Sequence, residues 1–465
     1  MASETTAVDG ALCRALSAAD LSARALIREV NWHLTAVGHE ALHPTAAYSW
    51  LKGSTPASPA VRYAVAVVLT RVTGIAHRPT DLWPETTDPV PLLRATDDLV
   101  GPRGLRRLLD IAAAWTALSG AHQGAVQPST GPLLITSALD ATAGPPTERL
   151  RHPAADRIEH VLPAMAGHLE STLADLRRLD DQTGGGAVSH RWVRNALAGV
   201  LDLLRNAQYS DDVGRRLLRT AGGLAQLAGW MCHDSNLTGP AQRYHLLALR
   251  LAKASDSAEA VANNLGMLAY QMVPANPAEA VRLATAATDA ARSCATAVRA
   301  RALGRLATAH AAAGDLHAYQ TAADACRTML HRARPEDTPA DLYYYTPRQQ
   351  AAEHGHALVL LAATYPPHAR RLLIQATEML TPLAMTDTDE TYRRSALLHG
   401  IHLARAHLLA HDRPTATATI DSLAQRVPGV QSVRCRSMLA DLRGTAHRHL
   451  PTATREAVDK ALSTA

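Results

Sequence analysis

With 465 residues the chain has material for two or three domains and a large core, and 47 basic against 42 acidic residues leave a net charge of only +5, which excludes a polycation. Its five cysteines, Cys13, Cys232, Cys294, Cys326 and Cys435, are odd in number and show no paired spacing, which argues against a disulfide framework and for a reduced, cytoplasmic protein. No N-terminal apolar stretch has the form of a signal peptide and no segment has the length and apolarity of a membrane span, so no membrane role is expected.

The first predicted elements form a compact helical unit over residues 20–83. A helix opens at Ser22, a good N-cap, and keeps Leu26, Val30, Leu34 and Val37 on one face until Gly38 stops it. A second, short helix starts at Pro44 and ends at Gly53. On it Ala47, Trp50 and Leu51 fall at i, i+3 and i+4 and point into the core, leaving Thr45, Ala46, Tyr48, Ser49 and Lys52 on the outer face. A third helix follows Ser58-Pro59, with an apolar stripe of Val61, Ala64, Val65, Val68, Leu69 and Val72 up to Gly74. Two crossed helices held by a third are a common way to place a recognition helix in the DNA major groove. Between Gly10 and Thr80 there are seven basic residues and three acidic ones, so this small piece carries nearly the whole net excess.

Pro84–Pro91 reads as a linker, and 100–125 and 155–180 as helical, with breaks at Gly144-Pro145-Pro146 and Gly184–Gly186; the whole of 84–185 is read as a linker and connecting helical region. From 186 to 465 Ala, Leu and Arg recur at helical spacing and strand-like alternation is nearly absent. Small residues repeat two turns apart: Ala241 with Ala248, Ala280 with Ala287, Ala318 with Ala325, Ala369 with Ala376. Breakers stand before each pair, at Gly239-Pro240, Pro274 with Pro277, Gly314-Asp315 and Pro366-Pro367, and a weaker unit runs from Arg413-Pro414 to Ala424. This register predicts an all-α chain, an N-terminal helix–turn–helix domain over 1–83 followed by a solenoid of stacked helix pairs over 186–465, with the first helix of each pair lining a groove. Trp230, His233, Asn263, Asn264, Tyr270 and Gln271 fall on such first helices. Asn263 and Asn264 are candidates for polar ligand contacts, with Trp230 and Tyr270 as neighbouring walls. Tyr343-Tyr344-Tyr345, in the long interval before Pro347, is either a contact surface or an anchor for that loop.

The residues also carry a resemblance. Leu21 to Trp83, with REVN at Arg28–Asn31, TAAYSWLKG at Thr45–Gly53, two prolines after it and DLW at Asp81–Trp83, resembles the XRE-type DNA-binding domains of actinobacterial regulators that carry a C-terminal tetratricopeptide (TPR) body. It continues in DQTGGGAV at Asp181–Val188, YSDDVGRRLL at Tyr209–Leu218 and LAGWMCHDS at Leu227–Ser235. The resemblance implies a transcriptional regulator, a homodimer on double-stranded operator DNA, whose TPR-like domain senses a peptide, small molecule or protein. The outer face of residues 45–52 then enters the major groove and Arg24 and Arg28 meet phosphates. The recognition helix departs from the usual pattern: in place of the Arg, Asn or Gln that read base edges it offers Thr45, Ala46, Tyr48, Ser49 and one Lys52, and the loop from Gly38 to His43 exceeds a tight turn. Readout through backbone and groove shape is the corresponding expectation.

No enzyme signature is present: there is no GxxxxGK[ST] loop, HExxH, CxxC or GxSxG. No catalytic residue, cofactor or metal is expected. The closest histidine groupings are His354/His356, His399/His402 and His447/His449. In the first and third, i, i+2 spacing turns the two rings apart on a helix, while His399 and His402 could share a face but have no carboxylate or cysteine nearby to complete a site, so all read as packed or solvated. The alternative to a regulator is an interaction scaffold whose solenoid holds a protein partner and whose N-terminal unit is vestigial.

Overall fold

The computed structural model describes residues 10–86, 93–101, 104–129, 131–143, 160–334, 336, 338–386, 392–446 and 450–463. Among these the chain is all-helical, with twenty-two α-helices and no strand, only two isolated bridges. The breaks expected at residues 144–146, most of the linker before Pro91 and the His447/His449 pair lie outside the described residues.

Five helices form the N-terminal unit: α1 (Ala11–Ala18), α2 (Ala23–Ala36), α3 (Ala46–Leu51), α4 (Pro59–Thr73) and α5 (Pro79–Leu82). The Ser22 hydroxyl accepts the Ala25 amide at 3.2 Å and opens α2, while Gly74 at φ 70° closes α4. Leu26, Val30 and Leu34 meet Val61, Val65 and Val68 in one core, sealed by Ala47 and Trp50 of α3. Trp50 meets Trp83 edge to face at 6.3 Å, which ties α3 to the DLW segment. The long loop before α3 is pinned by Asn31, whose amide donates to the Leu42 carbonyl at 2.9 Å and accepts the Leu42 amide at 2.7 Å. Two expectations need correction. Helix α3 is shorter than Pro44–Gly53, and Val72 is exposed because the stripe of α4 leaves the core after Leu69.

Next come α6 (Leu105–Ala117), α7 (Gly120–Gly124), α8 (Pro132–Thr142), α9 (Pro163–Thr183) and α10 (Ala187–Asn206). They share the largest core with the first helix pairs: Trp115 of α6 packs edge-on against Tyr244 at 5.4 Å and lies under the Arg243 guanidinium at 5.1 Å. Val37 also turns away from its own unit to pack on this core, close to Gly124.

The remaining helices stack as antiparallel pairs in a solenoid-like array: α11 (Asp211–Asp234) with α12 (Thr238–Ala254), α13 (Ala258–Met272) with α14 (Pro277–Ala290), α15 (Thr296–Ala312) with α16 (Leu316–Arg332), α17 (Pro347–Thr364) with α18 (Ala369–Thr381), α19 (Arg393–Leu409) with α20 (Arg413–Arg426), and α21 (Val433–Ala446) with α22 (Thr452–Ser463). Every breaker-then-Ala register marks a second helix, and Ala241, Ala248, Ala280, Ala287 and Ala376 are fully buried where first helices press on them. Two pairs differ: Ala369, at the start of α18, is only half-buried, and on α16 the buried face is Tyr319, Ala322, Ala323 and Cys326, so Ala318 and Ala325 are half-buried too.

The stack curls until its end meets its beginning. Helix α19 packs on α9, and α21 packs on α11. The α9–α10 turn makes this possible: a side chain at Gly185 would come within 2.7 Å of the Met231 backbone, so only glycine lets the turn lie flat on α11. The Gln431 amide then donates to the Thr183 carbonyl at 2.7 Å, joining the approach to α21 to the end of α9.

Candidate functional site

The first helix of each pair faces the inside of the curl, where α9, α11, α13, α15, α17, α19 and α21 enclose a chamber of about 110 Å³. A wider vestibule of about 500 Å³ adjoins it and shares Arg177, Gln226, Asn263, Asp341 and Tyr343 with its wall. Four arginines surround the chamber, each nine-tenths or more buried: Arg301 and Arg305 on α15, Arg394 on α19 and Arg434 on α21. Guanidinium groups at such depth need partners, and the chamber supplies carboxylates and aromatic faces in alternation.

One cluster closes the curl. Arg394 lies 3.3 Å from Asp181, 3.5 Å from Asp180 and 4.0 Å from Asp234; Arg434 lies 3.1 Å from Asp234 and donates to the Tyr270 hydroxyl at 3.2 Å. Both guanidinium groups sit by Trp230, at 5.3 and 5.2 Å from its ring, and Trp230 stacks on Tyr270 at 6.2 Å. Burial raises the Asp180 carboxyl to about 7 against the attraction of Arg394, and raises Asp181 also. Burial disfavours the charged forms of Arg394 and Arg434, but the surrounding groups outweigh it and raise both.

The second cluster is uneven. Glu353 of α17 takes Arg301 at 2.7 Å but Arg305 only at 3.8 Å. Burial opposes ionisation of Glu353, yet the two arginines hold its carboxyl down at about 2. The Arg301 guanidinium also bonds the Tyr344 hydroxyl at 3.2 Å and lies 4.6 Å from the Tyr345 ring. Arg305 has the Tyr270 ring at 4.1 Å and the Met267 sulfur at 3.8 Å, and burial together with Arg301 lowers it as a cation.

Of the residues singled out in the sequence, Trp230, Asn263 and Tyr270 line the chamber together. Asn264 turns away from the chamber: it is buried, donates to the Ala260 carbonyl at 2.8 Å and meets His245 of α12 at 3.3 Å, so both ends of its amide are spent between the first helix pair and the second. The tyrosine triplet divides its work. Tyr343 bonds Asp181 at the neck between vestibule and chamber, Tyr344 lines the chamber, and Tyr345 is buried beneath α15 against Cys326. Sequence reasoning misses Arg301, Arg305, Glu353, Arg394 and Arg434; the signal available for the first two is their i, i+4 placement on an otherwise Ala-rich first helix.

His354 and His356 separate as their i, i+2 spacing requires, whereas His399 and His402 share a face and both meet His356. His354 faces Gln350 and Tyr319, while His356 turns to His399 at 3.0 Å and stacks on His402 at 3.8 Å between centroids. Burial holds His356 and His402 well below the usual imidazole value, helped at His356 by the two neighbouring rings and at His402 by Arg405 and His399. Cys232 meets His190 at 3.2 Å, but burial pushes its thiol far up, so it stays protonated.

On the N-terminal unit Thr45, Tyr48, Ser49 and Lys52 are exposed along one side of α3, and Ala46 is half-buried against the core. Arg24 is exposed. Arg28, half-buried, lies 3.4 Å from Glu29 and 5.3 Å from the Trp32 ring. That ring is the seam between unit and body: Trp32 packs on Val433 and Ala440 of α21. Beside it Arg71 joins Glu29 at 2.7 Å and donates to the Asn236 carbonyl, just past α11, at 3.3 Å. Among the described residues no helix is long and apolar enough to cross a membrane.

Compared with known proteins, the chain matches no family model, and no curated protein matches its sequence.

Proposed function

We propose that this chain is a DNA-binding transcriptional regulator of the XRE-type kind it resembles, a cytoplasmic homodimer in which an N-terminal helix–turn–helix reads duplex DNA and a TPR-like body holds a ligand that changes operator binding. One observation carries the reading: α21 serves two sites at once. Val433 and Ala440 seat Trp32 of the N-terminal unit, and Arg434, next in sequence to Val433, reaches the chamber wall. A ligand that favours one arrangement of Arg434 favours one seat for the unit, and a switch needs that difference in affinity between two arrangements. The exposed side of α3 is free to enter a major groove, with Lys52 and Arg24 as phosphate contacts and Arg28 nearer the seam. No step of this reading needs a catalytic residue, metal or cofactor.

The test is a genome-wide selection of DNA fragments bound by the purified chain. A regulator returns an enriched, near-palindromic motif. An unenriched pool would make the body an interaction scaffold with a vestigial helix–turn–helix.

A further inference from the structure

The chamber's charged groups are not evenly balanced, and the imbalance has a sign. At the α9–α21 end two guanidinium groups meet Asp180, Asp181 and Asp234 within 3.1–3.5 Å, so although single atoms such as Asp180 Oδ1 and Arg394 Nε lack a partner among the described residues, both cations already have counter-charges. At the α15 end one carboxylate, Glu353, serves two arginines and sits on Arg301. Arg305 is left, among the described residues, without any oxygen inside hydrogen-bonding distance, although its side chain is only 5% exposed. A buried guanidinium fork in that state is costly unless an oxyanion completes it.

The surroundings look built for it. Gly266 on α13 faces the Arg305 stem, where an added Cβ would come within 3.3 Å, so a glycine in mid-helix makes room for this arginine at a cost of about 1 kcal/mol in propensity. The side-chain amides of Gln226 and Asn263 line both chamber and vestibule and have no partner among the described residues. The faces of Trp230 and Tyr270 are already taken by guanidinium groups and by each other, which leaves hydrogen bonding, not stacking, to recognise a ligand.

We infer that the chamber binds a small oxyanion-bearing molecule, its carboxylate or phosphoryl group held by the fork of Arg305 and its polar remainder by Asn263 and Gln226 toward the vestibule. This rests on reading the chamber as the body's ligand site, and it names the chemistry of that ligand.

The test is calorimetric titration of the full chain with succinate and, separately, with inorganic phosphate at constant ionic strength. At least one should bind saturably; succinate alone marks a carboxylate ligand, phosphate alone a phosphoryl one. Arg305→Gln should weaken binding by about 10- to 100-fold and Asn263→Ala by about tenfold, as expected for a charged and a neutral hydrogen bond, whereas the exposed Arg292→Gln should bind like the parent. Asn263→Ala removes no buried charge, so it serves even if Arg305→Gln fails to fold. Absence of saturable binding by either anion, or unchanged affinity in both variants, overturns the inference. Operator affinity measured in the same buffers separates the two readings: an anion that binds through Arg305 yet leaves operator affinity unchanged sustains the site and sinks the regulatory coupling.

Discussion

Arg434 and Asp234 stand 200 residues apart in the chain and 3.1 Å apart in the fold, where the last helix pair returns to the first. Asp234 is fully buried and also lies within 4.0 Å of Arg394. Asp234→Asn should therefore destabilise the chain by about 3–5 kcal/mol, since it strands buried guanidinium groups, while Asp234→Leu combined with Arg434→Met should recover most of that loss. Denaturant unfolding of the three proteins measures it. A single variant within about 1 kcal/mol of the parent would contradict a closing role for the pair.

Acid should unfold the protein earlier than its carboxylates alone would. Burial holds His190, His245, His354 and His399 at about 4, and burial with Arg71 nearby holds His33 at about 3, against an ordinary 6.5. The unfolded chain therefore binds more protons than the native one between those values, and stability falls as pH drops from 6.5 to 4. Five imidazoles, at about 1.4 kcal/mol per pH unit each, are comparable to a typical total stability of roughly 5–15 kcal/mol. Asp180, its carboxyl raised to about 7, and Asp181, also raised, run the other way and support the folded state as pH falls, but beside the five imidazoles stand also His356 and His402, likewise held down by burial. Circular dichroism across this window should show cooperative loss of helix; a chain still cooperatively folded at pH 4 would refute the account.

The face of α3 gives a third expectation. Thr45, Ser49 and Lys52 are exposed, so the triple alanine variant should fold normally and lose operator binding. Lys52→Ala alone should weaken binding to all sequences and reduce the salt slope by about one if it meets a phosphate. Ser49→Arg should shift or strengthen sequence preference. Fluorescence anisotropy on operator DNA at several salt concentrations decides it, and wild-type affinity in the triple variant would remove α3 from the interface.

Much of this was legible in the residues, for local reasons. Ser22, Gly74 and the spacing of Leu26, Val30 and Leu34 act within one helix, and each breaker-then-Ala register needs only its own pair. Where a large side chain replaced the small one, as with Tyr319 on α16, the inward face shifted by a residue. The chamber resisted reading because its partners come from six first helices and α9, between Arg177 and Arg434. Nothing local on α19 says that Arg394 will meet Asp180, or on α13 that Asn263 faces the chamber while Asn264 turns to His245.

Trp32 offers a fourth measurement. It is 8% exposed and its neighbours Val433 and Ala440 belong to α21. Trp32→Ala should loosen the seam without touching the α3 face, so operator affinity should persist while its response to the chamber's ligand falls toward nothing. Operator titrations with and without succinate or phosphate, in parent and variant, read this directly. An undiminished response would place the coupling elsewhere.

Oligomeric state is the fifth. If α3 reads DNA, a single unit with one lysine on that face supplies little specificity, and two half-sites about 10 bp apart, or a multiple of that, restore it. Sedimentation at micromolar concentration should show a dimer and footprints should be near-palindromic; a monomer protecting one short asymmetric site would count against the regulator reading.

The closure of α21 onto α11 also fixes an order of events during synthesis. The N-terminal unit, with its own core, emerges first and can fold first. Asp234 waits for Arg434 until some 200 further residues have been made, and until then Trp32 has no seat and the chamber no far wall. A chain still on the ribosome, or one clipped before residue 433, thus carries a folded N-terminal unit whose seat on α21 is missing. If that unit reads DNA under the body's control, the control arrives only once α21 has been made and goes whenever proteolysis removes it.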